Sequence, residues 1–120
     1  MFAWLSHLVA KRGPSWIEVA ELRRLLGQST PPLVVDVRQP EEFAGPLGHI
    51  PDARNIPLAE VPSRRGELGA VRRPIVFVCL TDKRSSQAAA DLIANGVSGV
   101  SVLRGGMKAW RELDAGPGSA

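Results

Sequence analysis

The chain has a single cysteine, Cys79, and no tyrosine. One thiol excludes an intramolecular disulfide and a cysteine-rich metal site. A lone functional thiol is easiest to keep reduced in the cytosol, so a cytoplasmic location is expected. Aromatic residues make up 5% of the chain. Its basic residues fall in scattered pairs, Arg23-Arg24, Arg64-Arg65 and Arg72-Arg73. No basic stripe with interleaved aromatics is present, which argues against nucleic-acid binding. Long apolar runs are also missing. Phe2 to Ala10 is far too short to span a bilayer, and Lys11 and Arg12 follow it rather than precede it, unlike a secretory leader. Nothing in the chain calls for a metal or a cofactor.

What is present suits one domain. The 120 residues are 44% hydrophobic and 22% charged, with a formal net charge of +3 that slightly favours small anions. Val19, Leu22, Leu25 and Leu26 mark a helix from about Glu18 to Leu26, ended by Gly27. "LVVDVR" after Pro31-Pro32 is the continuous apolar run of a strand buried on both faces. "PEEFAG" opens with Pro40 at a first helical position. A brief strand fits Arg54 to Ile56, and residues 62 to 69 fit one or two helical turns. "PIVFVC" is the second strong strand, Ser86 to Ala94 a helix, "GVSVLRGG" a third buried strand, and "MKAWREL" a last helix. Alternating strands and helices imply a parallel sheet with helices on both faces. The boundaries expected are an N-terminal extension over residues 1–14, a domain over 15–113 and a flexible tail over 114–120. Phe2, Leu5, Leu8 and Val9 can share one face of a short helix, either packed on its own domain or offered to a partner, a second subunit or a membrane interface.

That order gives the lone cysteine a meaning. In such sheets ligands bind at the carboxyl ends of strands, where loops lead into helix N-termini. Cys79 ends the central-looking strand, the loop Leu80 to Arg84 follows, and a helix is expected from near Ser85. The first helical turn has unpaired N–H groups and the positive end of the macrodipole. Lys83 and Arg84 add positive charge. Together these favour a thiolate. The alternative is that Cys79 is an inert core residue, as free cysteines often are.

Three segments in order resemble the rhodanese domain family over about residues 15 to 112. "VVDVRQPEEFAGPLGHIPDARNIP" is similar to the family's early signature, with Asp36, Arg38, Glu42, Phe43, Gly48, His49, Ile50, Pro51, Ala53, Asn55, Ile56 and Pro57 in place. "IVFVCLTDKRSSQAA" is similar to its active-site loop and "VLRGGMKAW" to its closing signature. The resemblance implies an α/β fold, a parallel five-stranded sheet flanked by helices on both faces. It also implies transfer of a sulfane sulfur through a cysteine persulfide. Cys79 is then the nucleophile, with thiosulfate or a persulfide as donor and cyanide, a small thiol or a protein thiol as acceptor. The backbone of Leu80, Thr81, Asp82, Lys83, Arg84 and Ser85 is expected to cradle the terminal sulfur, Lys83 and Arg84 to steer or hold the anionic donor, and Ser85 to be a cap or first-turn residue of the helix.

The remaining signature residues read mainly as architecture. Asp36 is expected to pair with Arg38 or Arg54. His49 is either a hydrogen-bonded turn residue or a base partner for Cys79. Gly105 and Gly106 are expected to take shapes closed to other residues, and Trp110 to cover the core edge. Asp82 departs from the glycine common at this position in the family. It is expected to tolerate a left-handed backbone. Its carboxylate is expected either to oppose a small dianion or to bind Lys83 or Arg84. Rival functions are a cysteine-dependent phosphatase or arsenate reductase, a non-catalytic binding or regulatory module, and a sulfur carrier serving one protein partner. The phosphatases have one residue more between cysteine and arginine than the four found here, Leu80 to Lys83. The presence of Cys79 argues against the non-catalytic module.

Overall fold

The computed structural model describes residues 13–114. Its strands are β1 (Ser15–Ile17), β2 (Leu33–Asp36), β3 (Arg54–Asn55), β4 (Ile75–Val78) and β5 (Val100–Leu103). All pair in parallel in the order β1-β5-β4-β2-β3, so the expected five-stranded α/β sheet is present and β4 is its centre. The helices are α1 (Val19–Leu26), α2 (Pro40–Phe43), α3 (Arg65–Gly69), α4 (Lys83–Ala94) and α5 (Gly106–Asp114). Two short 3-10 turns, Leu58–Glu60 and Pro62–Arg64, lead into α3.

Strand side chains alternate between faces, and this builds two cores. Leu33, Val35, Ile75, Phe77, Val100 and Val102 point one way and meet Leu68 of α3 and Ala88, Ala89 and Leu92 of α4. Val34, Val76, Val78 and Leu103 point the other way and meet Val19 and Leu22 of α1 and Met107 and Trp110 of α5. Because both faces are covered, β2 and β4 are buried at every position, as their unbroken apolar runs require. Trp110 is 4% exposed, with the Arg23 guanidinium 4.0 Å above its ring.

One strand and one helix start depart from what the sequence suggests. The strand β1 carries no apolar-run signal. It is a three-residue edge strand, with Trp16 exposed beneath Arg104. The helix α4 begins at Lys83, not near Ser85, so the loop after β4 is only Cys79 to Asp82. The expected N-terminal helix and the tail beyond residue 114 lie outside the described residues. Among the described residues, no helix is long and apolar enough to cross a membrane.

Candidate active site

Cys79 follows the last residue of β4 and continues the Ile75–Phe77 face. That alternation turns its sulfur toward the side where α4 begins. Ala88 and Ala89 are fully buried, and their small side chains let the helix sit close to the sheet. The result is contact between sulfur and helix terminus. The Ser85 N–H donates to Cys79 Sγ at 3.4 Å, and Ser85 Oγ lies 3.2 Å from the same sulfur. Cys79 is 1% exposed.

Ser85 Oγ also lies 3.1 Å from the Asp82 carbonyl. A hydroxyl has one proton to donate. With a neutral thiol, S–H can donate to Oγ while Oγ–H donates to the Asp82 carbonyl. With a thiolate, Oγ–H can turn to the sulfur. The Asp82 carbonyl keeps donors in that case, because Ser86 Oγ and Ser86 N also reach it at 2.6 and 3.0 Å. The serine pair therefore accommodates both states of sulfur without leaving a buried acceptor unpaired.

Arg84 stands in the first turn of α4 and reaches across the sheet rather than over the loop. Its guanidinium makes a bidentate pair with Glu42, at 2.7 and 3.0 Å. Glu42 follows β2 and Arg84 follows β4. The chain leaves these neighbouring strands toward opposite edges of the sheet, so the pair spans the topological switch point where such folds bind ligands. Glu42 is aimed by its own helix, since Oε1 also accepts the Gln39 N–H at 3.0 Å in a capping box. The Arg84 hydrogen bonds hold the Glu42 carboxyl down at about 2, and Glu42 in turn raises Arg84.

Beneath α2 lies a buried ion pair. Arg38 donates to Asp36 through Nε and Nη2, at 2.9 and 2.7 Å, and to the carbonyls of Glu42 and Gly48, at 3.2 and 2.7 Å. Asp36 therefore pairs with Arg38, while Arg54 pairs with Glu67. Removing one member of such a pair strands a buried charge and costs about 3–5 kcal/mol. Asn55 bonds the carbonyls of Asp36 and Arg38, at 3.0 and 2.9 Å, and closes the same turn. His49 stacks on Phe43 at 3.7 Å and donates Nδ1–H to the Phe43 carbonyl at 3.0 Å. It is a hydrogen-bonded turn residue.

The structure places the expected loop residues unequally. Ser85 touches the sulfur. Leu80, Thr81 and Lys83 are exposed at the mouth. Asp82 has φ −132°, outside the left-handed region, so the expected left-handed backbone is not used. Among the described residues it pairs with neither Lys83 nor Arg84. Its Oδ1 instead accepts the Gly105 N–H at 2.7 Å. Sequence reading missed this tie and the Glu42–Arg84 pair, because both join residues far apart in the chain. The doubled glycine in "LRGG" was the available signal. Gly105 and Gly106 both take positive φ, 79° and 55°.

The family model of the rhodanese-like domain matches residues 18–113. The chain belongs to the rhodanese-like domain family. It is 36% identical over 96 residues to the thiosulfate sulfurtransferase GlpE of Pseudomonas putida, covering 78% of this chain and 79% of that one. It is 42% identical over 77 residues to YqhL of Bacillus subtilis, an uncharacterised protein, and the match covers 64% of this chain and 59% of YqhL. The human single-domain sulfurtransferase TSTD1 superposes with a TM-score of 0.69 at 31% identity, covering 83% of this chain and 97% of that one.

Proposed function

We propose that this chain is a sulfurtransferase that moves a sulfane sulfur from thiosulfate or a persulfide donor to cyanide or a thiol, through a persulfide on Cys79. The observation that carries this reading is the sulfur of the chain's one cysteine against the amino end of α4, with the Ser85 N–H and hydroxyl both on it. The likeness to a thiosulfate sulfurtransferase supports the donor class.

The Cys79 thiolate attacks the outer sulfur of thiosulfate. The new S–S bond forms as the old one breaks, and sulfite leaves with the electron pair. An acceptor thiolate or cyanide then attacks the terminal sulfur, and the Cys79 thiolate leaves. The thiolate and the persulfide anion are both stabilised by preorganised donors, here the Ser85 hydroxyl and the first-turn N–H groups of α4. Arg84 supplies positive charge at the rim, tempered by Glu42. Because Cys79 is 1% exposed, the site favours a small donor or a thin group presented by a larger partner. The transferring unit is residues 15–113, with residues 1–14 an extension and 114–120 a tail, and it works in the cytoplasm.

Intact mass spectrometry tests this. The reduced protein should gain one sulfur atom from thiosulfate and lose it to cyanide. Absence of any uptake, from thiosulfate and from a small-molecule persulfide, overturns the reading.

A further inference from the structure

The turn after β5 lies directly on the loop that carries the cysteine. A Cβ on Gly106 would stand 2.4 Å from the Cys79 carbonyl oxygen, 2.5 Å from that of Thr81 and 2.7 Å from the Leu80 carbonyl carbon. Only a glycine lets the two backbones come so close. At this contact the first N–H groups of α5 turn into the loop. Met107 N donates to the Cys79 carbonyl at 2.9 Å, and Lys108 N to the Leu80 carbonyl at 3.1 Å. A trans peptide points its N–H opposite to its C=O. Drawing the carbonyls of Cys79 and Leu80 toward α5 therefore turns the N–H groups of Leu80 and Thr81 away from it. The α4 core, where the sulfur sits, is on the opposite face of the sheet from α5. The clamp from α5 thus aims loop donors toward the sulfur's side.

Asp82 fixes the far end of the same loop. Its Oδ1 accepts the Gly105 N–H at 2.7 Å, while its carbonyl accepts Ser85 Oγ, Ser86 Oγ and Ser86 N. One residue thus joins the glycine turn to the amino end of α4, with Cys79 between them. We propose that Asp82 is a positioning residue for sulfur transfer: its side chain holds the Gly105–Gly106 turn against the loop and so keeps the loop N–H groups aimed at the reacting sulfur. This rests on the sulfurtransferase reading of the site. It assigns the departure from glycine at this position to an acceptor atom, not to backbone shape or to repulsion of a dianion. The φ of −132° needs no glycine.

The substitutions that separate these roles are Asp82→Ala and Asp82→Asn. Asparagine keeps an oxygen where Oδ1 stands and removes the charge; alanine removes both. Sulfur loading of Cys79 from thiosulfate is followed by intact mass, with KM and kcat separated, alongside the alkylation rate of Cys79 by iodoacetamide and thermal unfolding. Asp82→Ala is expected to lower kcat on the order of tenfold or more, since misplacement of aligned groups by an ångström costs up to about a hundredfold. Asp82→Asn is expected to restore most of that rate. A charge effect would instead move both variants together, chiefly in KM. Asp82→Ala loading at the wild-type rate, or Asp82→Asn as impaired as Asp82→Ala, overturns the proposal. Should Asp82→Ala unfold, Asp82→Ser is read in its place, because its shorter side chain also ends the contact with Gly105. If the wild type takes up no sulfur at all, the functional reading fails on its own. The alkylation rates then still rank the variants and decide whether Asp82 positions the loop.

Discussion

Glu42→Gln separates what the ion pair does for the fold from what it does for the site. Glu42 and Arg84 form two hydrogen bonds, with 35% and 32% of their side chains exposed. The carboxyl is depressed from 4.5 to about 2. At about 1.4 kcal/mol per unit this shift taken at face value gives about 3 kcal/mol. With a third of each side chain open to water, screening and side-chain entropy bring the pair to about 1 kcal/mol. For a domain of this size that corresponds to roughly 4 °C in Tm. The sign follows from linkage. A carboxyl depressed in the folded state contributes stability that is fully present above its unfolded value of about 4.5 and lost as pH falls through about 2. Wild type should therefore melt about 4 °C above Glu42→Gln at pH 7, and the difference should shrink between pH 4.5 and 2. The variant also releases Arg84 from a competing anion, so its KM for thiosulfate should fall several-fold, on the order of the charge-assisted contact it regains. Thermal melts across pH and steady-state kinetics with thiosulfate and cyanide give both readings. A melting difference that persists undiminished at pH 2, or a KM that rises, would refute the reasoning.

Other substitutions probe the cradle. Ser85→Ala keeps the N–H on the sulfur and removes the hydroxyl; loading from thiosulfate should slow about tenfold or more, as loss of a preorganised donor does, while stability falls by about 1 kcal/mol. Gly106→Ala brings a Cβ into the carbonyls of Cys79 and Thr81 at a φ of 55°, which should cost about 2–4 kcal/mol in chemical denaturation and reduce turnover in the fraction that remains folded. Activity on an aryl phosphate should be trivial, because Arg84 is one residue early for a phosphatase and is held by Glu42; robust Cys79-dependent hydrolysis would contradict the loop assignment.

Much of this architecture is legible in the chain because burial on both faces leaves a plain signal. "LVVDVR" and "PIVFVC" read as central strands, and they are β2 and β4. The edge strand β1 was illegible for the opposite reason. Three residues half open to solvent carry no run and no alternation, and their pairing with β5 comes from contacts eighty-odd residues away. The start of α4 is ambiguous in the sequence because Lys83 and Arg84 suit a basic loop as well as a first helical turn. At the candidate site, the lone cysteine and its place at a strand-to-helix junction are legible in the sequence. The partners of its neighbours are not. Nothing local to Arg84 points to Glu42, and nothing local to Asp82 points to the Gly105 amide. Those contacts arise from the order of strands in the sheet, which places the ends of β2, β4 and β5 side by side.

The central claim is that Cys79 carries the transferred sulfur, and the direct measurement is intact mass of reduced wild type and Cys79→Ser after thiosulfate, before and after cyanide. Wild type should gain the mass of one sulfur and return to its starting mass with release of thiocyanate. Cys79→Ser should stay unchanged while keeping its fold. A wild type that takes up no sulfur, or a Cys79→Ser protein that still turns over thiosulfate, would contradict the account.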